Sequence, residues 1–212
     1  MLHSLRPGAD ESLRILNPRG LHALAVGIDA SVVVEVDGHV GYYCAGMNKL
    51  ATVLIHGNAG PGLAENIMSG RVEVRGDASQ AAGATGRGGL IVIGGNAAAR
   101  CGISMKGVDI VVRGSVGHMS AFMAQAGRMV VLGDAGDGLG DSIYEARLYV
   151  RGAVKSLGAD CVEKPMRAEH KTELAALLDQ ADLGGTAKPD EFRRYGSARK
   201  LYHFRIDNAG VY

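Results

Sequence analysis

Seven glycines divide most of this chain into equal lengths. Gly38, Gly57, Gly76, Gly95, Gly114, Gly133 and Gly152 follow one another at intervals of 19 residues, without an insertion or deletion. Each closes a short β-like run: VEVDG, VLIHG, VEVRG, IVIGG, IVVRG, MVVLG and LYVRG. Residues 34–166 are therefore seven copies of one unit. A 19-residue unit is too short for a strand plus a long helix, and it lacks the four strands of a propeller blade. It fits one turn of a parallel β-solenoid, in which each turn stacks on the next at ~4.8 Å and ladder hydrogen bonds run between turns.

The columns of the repeat agree with stacking. Two residues before each glycine stand Val36, Ile55, Val74, Ile93, Val112, Val131 and Val150, all β-branched. Two residues earlier stand Val34, Val53, Val72, Ile91, Ile110, Met129 and Leu148, so each strand has one apolar face. Two residues after the glycine the side chain is Ala or Val. Seven residues after it, only Ala or Gly occurs, from Ala45 to Ala159, where little more than backbone fits. The strand-ending glycines are expected at corners needing φ > 0, and Gly70, Gly89 and Gly127 mark a second corner.

Composition supports a packed, regular interior. The chain has 32 glycines in 212 residues, roughly twice the usual share of about 7%. They lie among Val and Ile, which argues against disorder. Net charge is +1, so no general attraction to nucleic acid or an acidic membrane is expected. The N-terminal MLHSLRPGADESLRIL has no signal-peptide pattern, and no run approaches the ~18 apolar residues of a membrane span. The expected compartment is the cytoplasm.

Residues 1–33 are expected to cap one end of the solenoid, and residues 167–212 the other end or a partner. The segment RAEHKTELAALLDQADLGG from Arg167 predicts an amphipathic helix with Leu174, Leu177 and Leu178 on one side, stopped by Gly184 and Gly185. Pro189-Asp190 can open a short helix. Phe192, Tyr195, Tyr202, Phe204 and Tyr212, interleaved with Arg193, Arg194, Arg199 and Arg205, have the composition of an interface, against the solenoid or a partner.

Three groups of residues could carry chemistry. The loop GDAGDGLGD, Gly133 to Asp141, looks like a phosphate cradle, but the next element is a strand and the required helix is missing. Asp134, Asp137 and Asp141 could together bind a cation, although a solvated turn with its carboxylates facing water is the default reading. His39, His56 and His118 occupy different columns, with no third ligand evident for any pair. Cys44 and Cys101 share a column three turns apart, ~14 Å and too far for a disulfide. Cys161 has Lys164 nearby as a weak activating charge. No catalytic, cofactor-binding or metal residue is assigned to this chain.

The repeat, with small residues three and seven positions after its glycine, is complete in GDAGDGLG (Gly133, Gly136, Gly140) and runs through GNAGPGLAENIMSGRVEVRG. It resembles the GXGXG domain that closes the large subunit of bacterial glutamate synthase. The same domain occurs as a free-standing subunit in glutamate synthase-like and formylmethanofuran dehydrogenase-type complexes. The resemblance implies a right-handed parallel β-helix without catalytic residues, bracing an amidotransferase domain against a flavin-binding barrel around an ammonia tunnel. A short free-standing chain with an Arg/Tyr-rich tail is most similar to the middle subunit of N-methylglutamate synthase. That likeness implies an amidotransferase-like partner and a partner carrying FMN and an iron–sulfur cluster. The alternatives are the GXGXG subunit of a formylmethanofuran dehydrogenase-like formyltransferase/hydrolase complex, or a stand-alone cation-binding solenoid. Lys155 departs from the small-residue column in the last turn, which suits an end that meets something else.

Overall fold

A computed structural model describes residues 12–199. Eight strands stack in chain order as parallel neighbours: β1 (Ser12–Leu16), β2 (Val33–Asp37), β3 (Thr52–Ile55), β4 (Arg71–Val74), β5 (Leu90–Ile93), β6 (Lys106–Val112), β7 (Ala126–Val131) and β8 (Arg147–Val150). From β2 to β8 the main pairings keep the 19-residue register: Val34 faces Val53, Val53 faces Val72, and so on to Leu148. The two apolar columns are buried and form one continuous core. The fold is the expected parallel β-solenoid.

A second ladder runs along the column two residues after the glycine. Val40, Ala59, Ala78, Ala97, Val116, Ala135 and Val154 bridge in succession. Small side chains suit this corner, where each turn meets the next.

The strand-ending glycines owe their place to close approach rather than to φ. Of the seven, only Gly38 has a positive φ. A Cβ on Gly57 would lie 2.5 Å from the Gly38 carbonyl carbon, and one on Gly133 would lie 2.7 Å from that of Gly114. Successive corners are thus packed backbone on backbone. The later glycines are the ones that need φ > 0: Gly70 (+82°), Gly89 (+82°) and Gly127 (+98°).

The Ala/Gly column has its own cause. In each regular turn, three alternate residues are left-handed, as at Tyr43, Ala45 and Met47, or Arg100, Gly102 and Ser104. Their N–H groups point alternately to the two neighbouring turns: Tyr43 donates to Pro61, Ala45 to Leu24 and Met47 to Glu65. The middle residue of each trio lies against the core. A Cβ on Gly102 would sit 2.5 Å from Met129 Cε. Only Ala or Gly meets both conditions.

Both ends differ from the regular repeat. β1 pairs with β2 in a 21-residue register, Ser12 facing Val33. The expected N-terminal cap therefore includes one more, longer turn, with Leu13 and Ile15 packed against the core. Two extra residues and Asn17 in place of a glycine hide it from the 19-residue pattern. At the other end the register slips to 18, Leu139 bridging Leu157, and β9 (Cys161–Lys164) follows. β9 does not stack on β8. β10 (Arg193–Ser197) inserts between them, antiparallel to both, so the seventh unit departs from the repeat after Val154.

Helix α1 (Ala168–Gln180) lies on the outer face of the sheet. The outward column at mid-strand reads Glu35, Leu54, Glu73 in the early turns and Val92, Val111, Val130, Tyr149 in the later ones. Leu174, Leu177 and Leu178 are buried against this apolar half, with Ala181, Leu183, Ala187 and Phe192. Arg71 donates to the Gln180 carbonyl (2.5 Å) and Arg113 to that of Ala181 (3.3 Å), meeting the negative end of the helix dipole. The helix stops before the glycines expected to end it. Asp182 takes the left-handed position (φ 58°), Leu183 N–H bonds Leu178 O, and Asp182 N–H bonds Asp179 O. This is a Schellman cap with aspartate in the usual glycine place. Pro189–Glu191 forms the expected short helix, of 3-10 type.

Candidate functional site

The polar residues singled out by sequence resolve into a structural ladder. The residue after each of the first six strand-ending glycines accepts a hydrogen bond from the backbone N–H one turn later. His39 Nδ1 accepts from Asn58 (2.9 Å), Asn58 Oδ1 from Asp77 (3.0 Å), and Asp77 Oδ1 from Asn96 (2.6 Å). Asn96 Oδ1 then accepts from Ser115 (2.8 Å), Ser115 Oγ from Asp134 (2.9 Å), and Asp134 Oδ1 from Ala153 (2.7 Å). The column satisfies corner N–H groups that the strands leave unpaired. Asn96→Ala is expected to cost about 1 kcal/mol, the net worth of such a bond, measurable as a small fall in urea midpoint with an unchanged m-value.

The acidic loop is divided among these tasks. Asp134 is the last rung of the ladder. Asp137 pairs with Lys155 (2.7 Å) and accepts from Ser156 Oγ (3.2 Å). Asp141 accepts from Ala159 N–H (3.0 Å) and Ser142 Oγ (2.8 Å). The Lys155 ammonium holds the exposed Asp137 carboxyl below its ordinary range. This contact also accounts for the lysine that breaks the small-residue column. Among the described residues, no three His, Cys, Asp or Glu side chains are grouped to hold a metal ion.

The histidines have separate surroundings. His39 serves Asn58. His56 Nε2 faces Glu35 (3.6 Å) and Asp37 (3.9 Å), and Asp37 is itself paired with Arg14 (2.6 Å). His118 is exposed at its corner.

The three thiols are buried and unbridged. Burial pushes Cys44 and Cys101 up to about 12 and Cys161 up to about 11. Asp141 adds to the shift at Cys161, and Lys164 opposes it only weakly. The thiols stay neutral and unreactive near neutrality. Their raised values predict stability that is fully present below the ordinary pKa of 9.0 and lost as pH rises toward 11–12, because the unfolded chain then releases protons first. Melting temperature should fall through that alkaline window, and iodoacetamide should label the native chain at neutral pH only after denaturation.

One groove of about 560 Å³ was not foreseen. Its floor includes Gly107 and Gly127, beside the register shift between Lys106 and Asp109. Arg128 pairs with Asp109, and Arg147 with Glu173, which also accepts the Tyr149 hydroxyl (2.7 Å). The first pair was visible in principle as opposite charges 19 residues apart. The second depends on where α1 docks. These four groove charges are matched in pairs.

The described part of the tail packs on its own solenoid. Phe192 and Tyr195 are buried, Arg193 and Arg194 donate to the Gly152 and Pro165 carbonyls, and Arg199 pairs with Asp160. Tyr202, Phe204, Arg205 and Tyr212 lie outside the described residues. Among the described residues, no helix is long and apolar enough to cross a membrane.

No family model matches the chain. It is 68% identical to Protein GlxC of Rhizobium meliloti (strain 1021) over 212 residues, covering all of this chain and 92% of that protein. The chain belongs to the GlxC family. The match takes in the solenoid, the longer first turn, α1 and the C-terminal segment alike. The likeness thus extends over both irregular ends as well as the repeat.

Proposed function

We propose that this GlxC-family chain is a non-catalytic scaffold subunit of a flavin-dependent, glutamate synthase-like complex. The favoured activity is N-methylglutamate synthase: methylamine and glutamate give N-methylglutamate and ammonia. An amidotransferase-like subunit and a subunit holding FMN and an iron–sulfur cluster would flank the rod. The observation that carries this reading is the GXGXG pattern repeated through the solenoid, with the glycines serving backbone-on-backbone stacking. It is supported by the polar inventory. The loop aspartates, the ladder residues and the thiols are committed to structural contacts or buried.

The test is purification of the tagged chain from its native host. The expected result is a stable assembly with an FMN-containing flavoprotein and an amidotransferase-like chain, active with methylamine and glutamate. Recovery of the chain alone would overturn the reading. Recovery with a molybdopterin subunit and a metal-dependent hydrolase would replace it with the formylmethanofuran dehydrogenase-type alternative.

A further inference from the structure

The groove beside the register shift has more hydrogen-bonding capacity than its own ion pairs use. Five charged side chains line it: Asp109, Arg128, Glu145, Arg147 and Glu173. Arg128 grips Asp109 with Nε (2.7 Å) and one Nη, while Arg147 reaches Glu173 through one Nη. A guanidinium carries five N–H donors. Beyond these pairs, Arg128 has its second Nη to offer, and Arg147 its Nε and second Nη.

The paired carboxylates are engaged more fully. Asp109 accepts on both oxygens from Arg128, and Glu173 on both, from Arg147 and the Tyr149 hydroxyl. In each pair the carboxylate is also the more buried member. Asp109 is 17% exposed against 27% for Arg128, and Glu173 20% against 47% for Arg147. The accessible member of each pair is thus the arginine. The two arginines are Cα partners on β7 and β8, about 4.8 Å apart. Glu145 is exposed and precedes Arg147 by two residues, at most ~7 Å along the chain.

This arrangement selects a class of ligand. Three carboxylates against two guanidinium groups make the lining weakly acidic, so a simple anion meets net repulsion. A simple amine leaves the spare arginine donors without an acceptor. A molecule carrying both a carboxylate and an ammonium group meets both needs. We propose that the groove binds a free α-amino acid, with its carboxylate on Arg128 and Arg147 and its ammonium on Glu145. Planar guanidinium forks match a carboxylate in two-point geometry. The volume of about 560 Å³ falls within the range of about 300–1,000 Å³ found for small-molecule sites. The floor is Gly107, Ala126 and Gly127, which offers no wall for a large apolar side chain. The amino acid is therefore one with a small or polar side chain. Glu173 comes from α1, so the site is complete only while the helix is docked. It lies on this chain alone, and its occupancy does not depend on which complex the chain joins.

Isothermal titration of the full-length chain with glycine and L-glutamate tests this, with acetate, methylammonium and L-phenylalanine as comparisons. Glycine or L-glutamate is expected to bind with a Kd of order 1 mM or tighter. The three comparison compounds should bind about ten-fold more weakly or worse, each lacking one charge or carrying a ring the groove cannot cover. Glu145→Gln changes an exposed side chain, so the melting temperature of the unliganded chain should stay the same. Its affinity for the amino acid should fall about ten-fold or more, and Arg147→Gln should give a comparable fall. Absence of binding by both glycine and L-glutamate would overturn the proposal, as would affinity that survives either substitution. Acetate binding as tightly as glycine would make the groove a simple anion site. Methylammonium binding as tightly would make it a simple cation site. Either result overturns recognition of an amino acid.

Discussion

Gly133→Val is expected to lower the melting temperature by roughly 10 °C, from a loss of about 3–5 kcal/mol. The valine Cβ would sit 2.7 Å from both the carbonyl carbon and the oxygen of Gly114, and 2.5 Å from Ser115 Oγ. The serine can rotate away, but the Gly114 backbone cannot. It is held by its own bond to Gly95, and Gly133 N–H in turn bonds Gly114 O (2.9 Å). Relief requires two turns to separate at a corner, which breaks bonds along the bridge column and the side-chain ladder together. Gly185→Ala is the control, since nothing lies within 4 Å of its added Cβ and its φ is not positive. Thermal unfolding by circular dichroism checks both variants. A melting temperature for Gly133→Val within a degree or two of the parent would show that the corner spacing is elastic.

The second large effect is expected at Leu177. This side chain is fully buried in the cluster where α1 meets Val92, Val111, Val130 and Tyr149. Truncation to alanine is expected to cost about 2–5 kcal/mol. The loss should be unevenly distributed. The helix is held by this apolar face and by Arg71 and Arg113 at its C-terminal end, whereas the solenoid core is a separate cluster. Exchange should therefore accelerate over α1 while β3 to β5 stay protected, and the exposed valine column should bind a hydrophobic dye. Uniform acceleration along the whole chain would mean that helix and solenoid unfold as one unit.

How much of this was legible in sequence varies with range. The register from β2 to β8 was readable because every strand's neighbour is a copy of itself, 19 residues away. The docking face of α1 was also present in the sequence, as the change from Glu35 and Glu73 to Val92, Val111 and Val130 in one outward column. It acquires meaning only once the strands are stacked. The acidic loop shows the reverse. Its three aspartates suggest a site when read locally, yet each answers to a different neighbour on the adjoining turn or its own.

Sequence alone determined that this protein is a stack of short parallel strands. A fixed repeat makes each column its own packing partner, so a pattern local to 19 residues dictates contacts along the rod. Tertiary structure decided which constraint each glycine meets: close approach at Gly57 and Gly133, positive φ at Gly70 and Gly127. It also decided how the ends depart from the pattern. The 21-residue first turn, the insertion of β10 between β8 and β9, and the seat of α1 are set by residues that have no copies in the chain. No periodicity can announce such contacts, because each occurs once.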